Sequence, residues 1–135
     1  MITVRRARPA DAVAIGAVHV AAWRSAYPGI LPDSYLAALS AARQAAYYDG
    51  AIRGGVGVHV AAASGADAAR PGGALRVVGF VTGSPVRPGR SATPPADGEI
   101  ETLYVLDDWR ERGLGRRLMR AAAAHLAGAG CRSAF

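Results

Sequence analysis

The sequence contains no lysine, so all 16 of its Lys/Arg-type charges are arginines. That absence removes the phosphate-binding loop that ends in Gly-Lys-Ser/Thr, where the lysine is indispensable. One cysteine, Cys131, permits no internal disulfide, and His19, His59 and His125 are scattered, so no metal site is implied. No apolar run approaches the ~18 residues of a membrane span. Residues 1–5 also lack the charge-then-apolar order of a signal peptide, and a cytoplasmic protein without a membrane partner is expected. Charged residues make up only 19% and hydrophobic residues 51%, which excludes a disordered class. A chain of 135 residues without repeat or linker is expected to form a single domain over residues 1–135.

The net charge is +6, and a basic balance raises nucleic acid, membrane surface and anionic cofactor as partners. Distribution separates them. Arg110, Arg112, Arg116, Arg117 and Arg120 gather in one short stretch, whereas a nucleic-acid surface shows a longer basic stripe with interleaved aromatics. A small phosphorylated ligand fits better, and no nucleic-acid partner is expected. Arginine- and alanine-heavy usage is also what a coding bias produces, which weakens any argument from net charge alone.

The stretch carrying that charge is residues 98–126, GEIETLYVLDDWRERGLGRRLMRAAAAHL. Residues 99–105 read as a strand, and Leu114, Leu118, Ala121, Ala122, His125 and Ala129 recur at helical spacing. The two periods meet at Arg110-Glu111-Arg112-Gly113-Leu114-Gly115. A helix that opens with glycines leaves its first N–H groups unpaired and lets a ligand come close, so phosphate oxygens are natural partners. A dinucleotide-binding fingerprint needs a third glycine where Leu118 stands. What remains is R-x-x-G-x-G after a strand ending Leu103-Tyr104-Val105.

That string, in strand-turn-helix order, resembles the acetyl-coenzyme A motif of the GNAT family of N-acetyltransferases. The resemblance implies acetyl-CoA as co-substrate, with its pyrophosphate held by Arg112, Gly113, Leu114, Gly115 and Arg116. Arg110 assists by charge, and the strand residues Leu103, Tyr104 and Val105 lie along the pantetheine arm. It implies a primary amine acceptor, either a small molecule or a peptide.

The rest of the chain is read in order. Residues 2–6 form a first strand, and Pro9 and Asp11 open a helix over residues 12–22 whose inner face carries Val13, Ala17, Val20 and Ala21. Tyr27-Pro28-Gly29 breaks it. A second helix runs from about Pro32 to Tyr48. The sequence Trp-x-x-Ala-Tyr followed by Leu-Pro also resembles the GNAT elbow between the first two helices, which implies that Trp23, Tyr27 and Tyr35 line the acceptor pocket; an ordinary aromatic core is the other reading. Residues 56–63 and 75–82 read as a hairpin joined by a flexible connection, with His59 half buried mid-strand and Gly79 marking a bulge or a close backbone approach. Residues 84–97 form a long proline-rich loop. The order β-α-α-β-β-β-α is an α/β arrangement, and the resemblance makes it the GNAT fold: a mixed sheet with helices on both faces.

An alkylammonium with a pKa near ~10 must lose a proton before it attacks a thioester. Glu99 and Glu101, two apart on one strand face, are the candidate bases; solvated carboxylates are the alternative for either. By the same alternation Tyr104 points to the opposite face. No tyrosine follows Tyr104, so the general acid that the family draws from a later tyrosine has no counterpart. The chain stops where the family's fifth strand would begin. Two outcomes are therefore expected: strand completion by another chain or a homodimer, or a truncated, catalytically weak acyl-CoA-binding module.

Overall fold

The computed structural model describes residues 2–64, 76–85 and 98–131. Four strands form one sheet in the order β1 (Ile2–Arg6), β2 (Gly57–Ala63), β3 (Arg76–Pro85) and β4 (Gly98–Val105). Every neighbouring pair is antiparallel. Helices α1 (Ala12–Ala26), α2 (Asp33–Ala37) and α3 (Ala41–Arg53) lie between β1 and β2, and α4 (Leu114–Gly128) follows β4. The order is that read from the sequence, with one helix more.

The extra helix comes from a break. Residues 32–48 are not one helix: α2 ends at Ala37, and Ser40 starts α3 by accepting a hydrogen bond from the Arg43 N–H through its hydroxyl at 3.2 Å. Arg24 of α1 holds the end of α2 in place by donating to the carbonyls of Leu36 and Leu39, both at 3.1 Å. The orphan carbonyls of a short helix are thereby satisfied from outside it.

Both sheet faces are covered. On one, Ile15 and Val18 of α1 and Tyr48 of α3 pack on Val58, Val60, Val77 and Phe80; on the other, Leu114, Leu118 and Ala122 of α4 pack on Ala61, Ala63, Val78 and Val81. Of the face of α1 expected to be buried, Val20 is, but Val13, Ala17 and Ala21 are exposed, while Ala12, Ile15, Val18 and Ala22 are buried. A helix this rich in alanine and valine gives little periodic contrast. What selects the buried face is Gly16, where a Cβ would stand 2.7 Å from both the Ala41 carbonyl and the Ala45 nitrogen, so only glycine lets α1 and α3 cross this closely.

Two irregularities shape the sheet. Ala61 pairs with Gly79 but Ala62 with Val77, leaving Val78 as a bulge, and a Cβ on Gly79 would meet the Tyr104 carbonyl at 3.0 Å. Both readings of Gly79 hold. Thr82 pairs with Thr102 but Gly83 with Ile100, which makes Glu101 the extra residue of a second bulge. This resets the alternation of β4. Tyr104 packs into the α1/α3 cluster and Ile100 into the α4 cluster, although four residues of regular strand would place them on one face. The expectation that Tyr104 points away from Glu99 is thus corrected: beyond the bulge, Glu99 falls on the face of Tyr104. The proline-rich loop begins later than expected, because β3 continues to Pro85. Residues 86–97, and the connection between β2 and β3 from residue 65, lie outside the described residues.

Candidate active site

Glycine and arginine at the turn before α4 create the first part of the site. Gly113 takes φ 74° and ψ 12°, left-handed values that allow the chain to turn directly into the helix without a side-chain cap. The first intrahelical bond runs from the Arg117 N–H to the Gly113 carbonyl at 3.1 Å. The N–H groups of Leu114, Gly115 and Arg116 precede it and have no acceptor within the helix. They border a cavity of about 550 Å³ lined by Leu103, Tyr104, Val105, Trp109, Arg110, Glu111, Gly113, Leu114, Gly115 and Arg116. Unpaired amides, the positive end of a helix and two guanidinium groups make this an anion-accepting hollow.

Arg112 is placed differently from its neighbours. Its guanidinium lies 4.6 Å from the centre of the Trp109 ring, outside that lining. Trp109 is buried and anchors the turn; nothing in the sequence reading singled it out, although an aromatic directly before the arginine run was the available signal. Glu111, also unforeseen, lines the cavity with φ 63°. Arg110 is partly neutralised by Asp107, whose carboxylate is 3.3 Å away.

The carboxylates lie on the side of β4 that α3 covers. Glu99 and Glu101 border a second cavity, about 430 Å³, together with Tyr47, Gly54, Gly55, Val56, Ser84 and Pro85. Both line this one cavity, as their two-residue spacing implies. Ser84 donates to one oxygen of Glu101 at 3.4 Å.

An aromatic group gathers around Tyr104, which itself lines the first hollow. Trp23 donates its indole N–H to the Tyr104 hydroxyl at 2.6 Å, and its ring lies 4.9 Å from Tyr27, 6.5 Å from Tyr35 and 5.4 Å from His19, stacked on the last. The structure therefore gathers Trp23, Tyr27 and Tyr35 and ties them to β4 through Tyr104. Burial pushes the Tyr104 phenol up from its ordinary pKa, against the opposing effect of the indole donor, so the group stays protonated at neutral pH. Burial also lowers the His19 pKa; its Nδ1 lies 2.8 Å from the Tyr48 hydroxyl.

Comparison with known proteins agrees with this geometry. Residues 18–135 match the model of the acetyltransferase (GNAT) family. The chain is 32% identical, over all of its length and 70% of the relative's, to a Bacillus subtilis (strain 168) protein described as the uncharacterized N-acetyltransferase YuaI. A GNAT family acetyltransferase from Brucella melitensis in complex with acetyl-CoA superimposes with TM-score 0.63 at 24% identity, covering 99% of this chain and 73% of that one. A GCN5-related N-acetyltransferase from Ralstonia eutropha JMP134 superimposes with TM-score 0.69 at 22% identity, covering 100% and 82%. At these identities the superpositions establish the fold. Together with the family match and the Bacillus relative, the strand-turn-helix built around Gly113 makes the chain a member of the GNAT acetyltransferase family of acyl-transferring enzymes.

Proposed function

We propose that the chain transfers acetyl from acetyl-CoA to a primary amine, with the cofactor's anionic end at the turn before α4 and the amine on the Glu99 side of β4. The observation that carries this reading is the placing of two hollows of opposite charge along one strand. Arg110 and Arg116 border one, Glu99 and Glu101 the other. Extended strand from Glu99 to Val105 spans roughly 20 Å, so an elongated thioester held at one end presents its acyl group toward the other. The Brucella relative, crystallised with acetyl-CoA, shares this fold.

In this reading the amides of Leu114, Gly115 and Arg116 hold phosphate oxygens, and a main-chain N–H near Val105 polarises the thioester carbonyl. Glu99 takes a proton from the ammonium. The freed lone pair attacks the carbonyl carbon and an N–C bond forms; the C–S bond breaks, and the surplus proton on nitrogen passes to the departing thiolate. A thiol has a pKa near ~8.5, so the departing sulfur needs only a weak proton source.

The test is thiol release with an amine panel, alongside coenzyme A binding by calorimetry. Turnover with Glu99→Gln should require higher pH than turnover by the unaltered chain. Binding without turnover would select a non-catalytic acyl-CoA-binding module instead. An unchanged pH profile in both Glu99→Gln and Glu101→Gln removes the base from this strand.

A further inference from the structure

The amine hollow carries more negative charge than a single amine requires. Among the described residues its lining holds two carboxylates, two hydroxyl-bearing side chains and no arginine, in a chain whose net charge is +6. Neither Glu99 nor Glu101 makes an ion pair among the described residues; the carboxylates that do are Asp11, Asp49 and Asp107. Two apart on β4, both line the same hollow. Ser84 occupies one oxygen of Glu101 and leaves the other open. One step inward from Ser84 on the same strand face, Thr82 is 4% exposed and its hydroxyl has no hydrogen-bond partner among the described residues. Tyr47, 61% exposed, presents an aromatic ring on the opposite wall.

We infer that the acceptor is a short aliphatic di- or polyamine: one nitrogen is acetylated while a second, still an ammonium, is held by Glu101 and the Tyr47 ring. This rests on the acetyl-transfer reading above and extends it to substrate class. A base serves one nitrogen. A second carboxylate beside it, without a cation partner among the described residues, suits a second positive charge on the same molecule. The methylene chain between the nitrogens suits the mixed wall of Tyr47, Val56 and Pro85. The chemistry at the reacting nitrogen is unchanged, and the distal nitrogen neither gains nor loses a bond.

The experiment compares 1,4-diaminobutane with n-butylamine, which differ by one ammonium group, and adds spermidine. With the unaltered chain, kcat/KM for the diamine should exceed that for the monoamine by about threefold, the worth of one exposed ion pair. The difference should appear in KM rather than kcat and shrink with added salt. Glu101→Gln should bring the diamine-to-monoamine ratio close to one. Tyr47→Leu, exposed and remote from the core, should lower the ratio in part. Calorimetry of spermidine binding to the chain without cofactor supplies a readout independent of turnover. Equal kcat/KM for the two amines, or a ratio insensitive to Glu101→Gln, overturns the inference while leaving acetyl transfer standing. No turnover with any amine, but spermidine binding lost in Glu101→Gln, supports the cation site and overturns the transfer reading instead.

Discussion

Glu111, Gly113 and Gly115 stand within five residues and illustrate three relations between a residue and its backbone. Glu111 holds φ 63° with a side chain that disfavours it. Glu111→Gly should therefore stabilise the fold by about 1 kcal/mol, measured as a rise in the urea midpoint without change of slope. Gly113 has φ 74° and open space at the Cβ position. Gly113→Ala should destabilise by about 1 kcal/mol through backbone conformation alone. At Gly115 a Cβ would also meet nothing within 4 Å, and the residue lies in the first turn of α4 with no positive φ. Gly115→Ala should thus stabilise the free protein by up to about 1 kcal/mol and yet weaken coenzyme A binding, because the methyl group occupies the approach to the amides. Stability and affinity moving in opposite directions at Gly115 is the signature of a glycine kept for a ligand. Affinity unchanged or tighter in Gly115→Ala would sink the proposed cradle. Both glycines were readable from the motif; the strained Glu111 was not, since the left-handed conformation belongs to the folded turn and glutamate gives no sign of it.

At the scale of elements, the legible part of the fold was what local pattern controls. The strands, the helix after the glycine turn and its stripe of Leu114, Leu118 and Ala122 follow from period and composition. The helix break did not, although Ser40 three residues before an amide it caps was a usable sign. The bulge at Glu101 lay beyond reach, because a bulge is a mismatch in length between two strands and only the pairing of β3 with β4 reveals it. The error about Tyr104 came from that one residue. Gly16 was similarly silent: its purpose is set by α3, some 25 positions away, through Ala41 and Ala45. Gly16→Ala should push α1 and α3 apart and cost about 1–3 kcal/mol, even though alanine is the better helix former by about 1 kcal/mol. A melting temperature that rises in Gly16→Ala would show that the two helices can separate without loss.

The three histidines give the molecule as a whole a dependence on pH with a definite sign. Burial lowers the pKa of His19, His59 and His125 below the ordinary 6.5. For His59 the positive neighbours His125 and Arg6 add to this, and for His125 Arg6 does. His125 sits where α4 crosses β1 and β2, its ring centre 5.7 Å from that of His59 and its Nδ1 3.3 Å from the Arg6 guanidinium. An arginine only donates, so that contact requires His125 to be neutral, with its proton on Nε2. The negative end of α4 favours a cation there, but burial and Arg6 outweigh it. A base whose pKa is lower in the folded chain binds more protons when unfolded. Its contribution is therefore complete above pH 6.5 and is lost as pH falls through the folded value. Asp11 follows at lower pH. Hydrogen bonds from Arg5 at 2.8 and 2.9 Å hold its carboxyl below the ordinary 3.8, and the stability this gives disappears as the carboxylate protonates. Acid should thus weaken the fold in two stages, the first beginning near pH 6.5 and the second below about pH 4. The melting temperature, followed from pH 7.5 to 3, should show both. The double variant His59→Gln, His125→Gln retains an acceptor for Arg6 and cannot titrate, so its first stage should be smaller, with what remains belonging to His19. A melting temperature that is flat or rising between pH 7 and 5 would mean that these rings take up protons in place, and that the basic cluster under α4 tolerates the added charge.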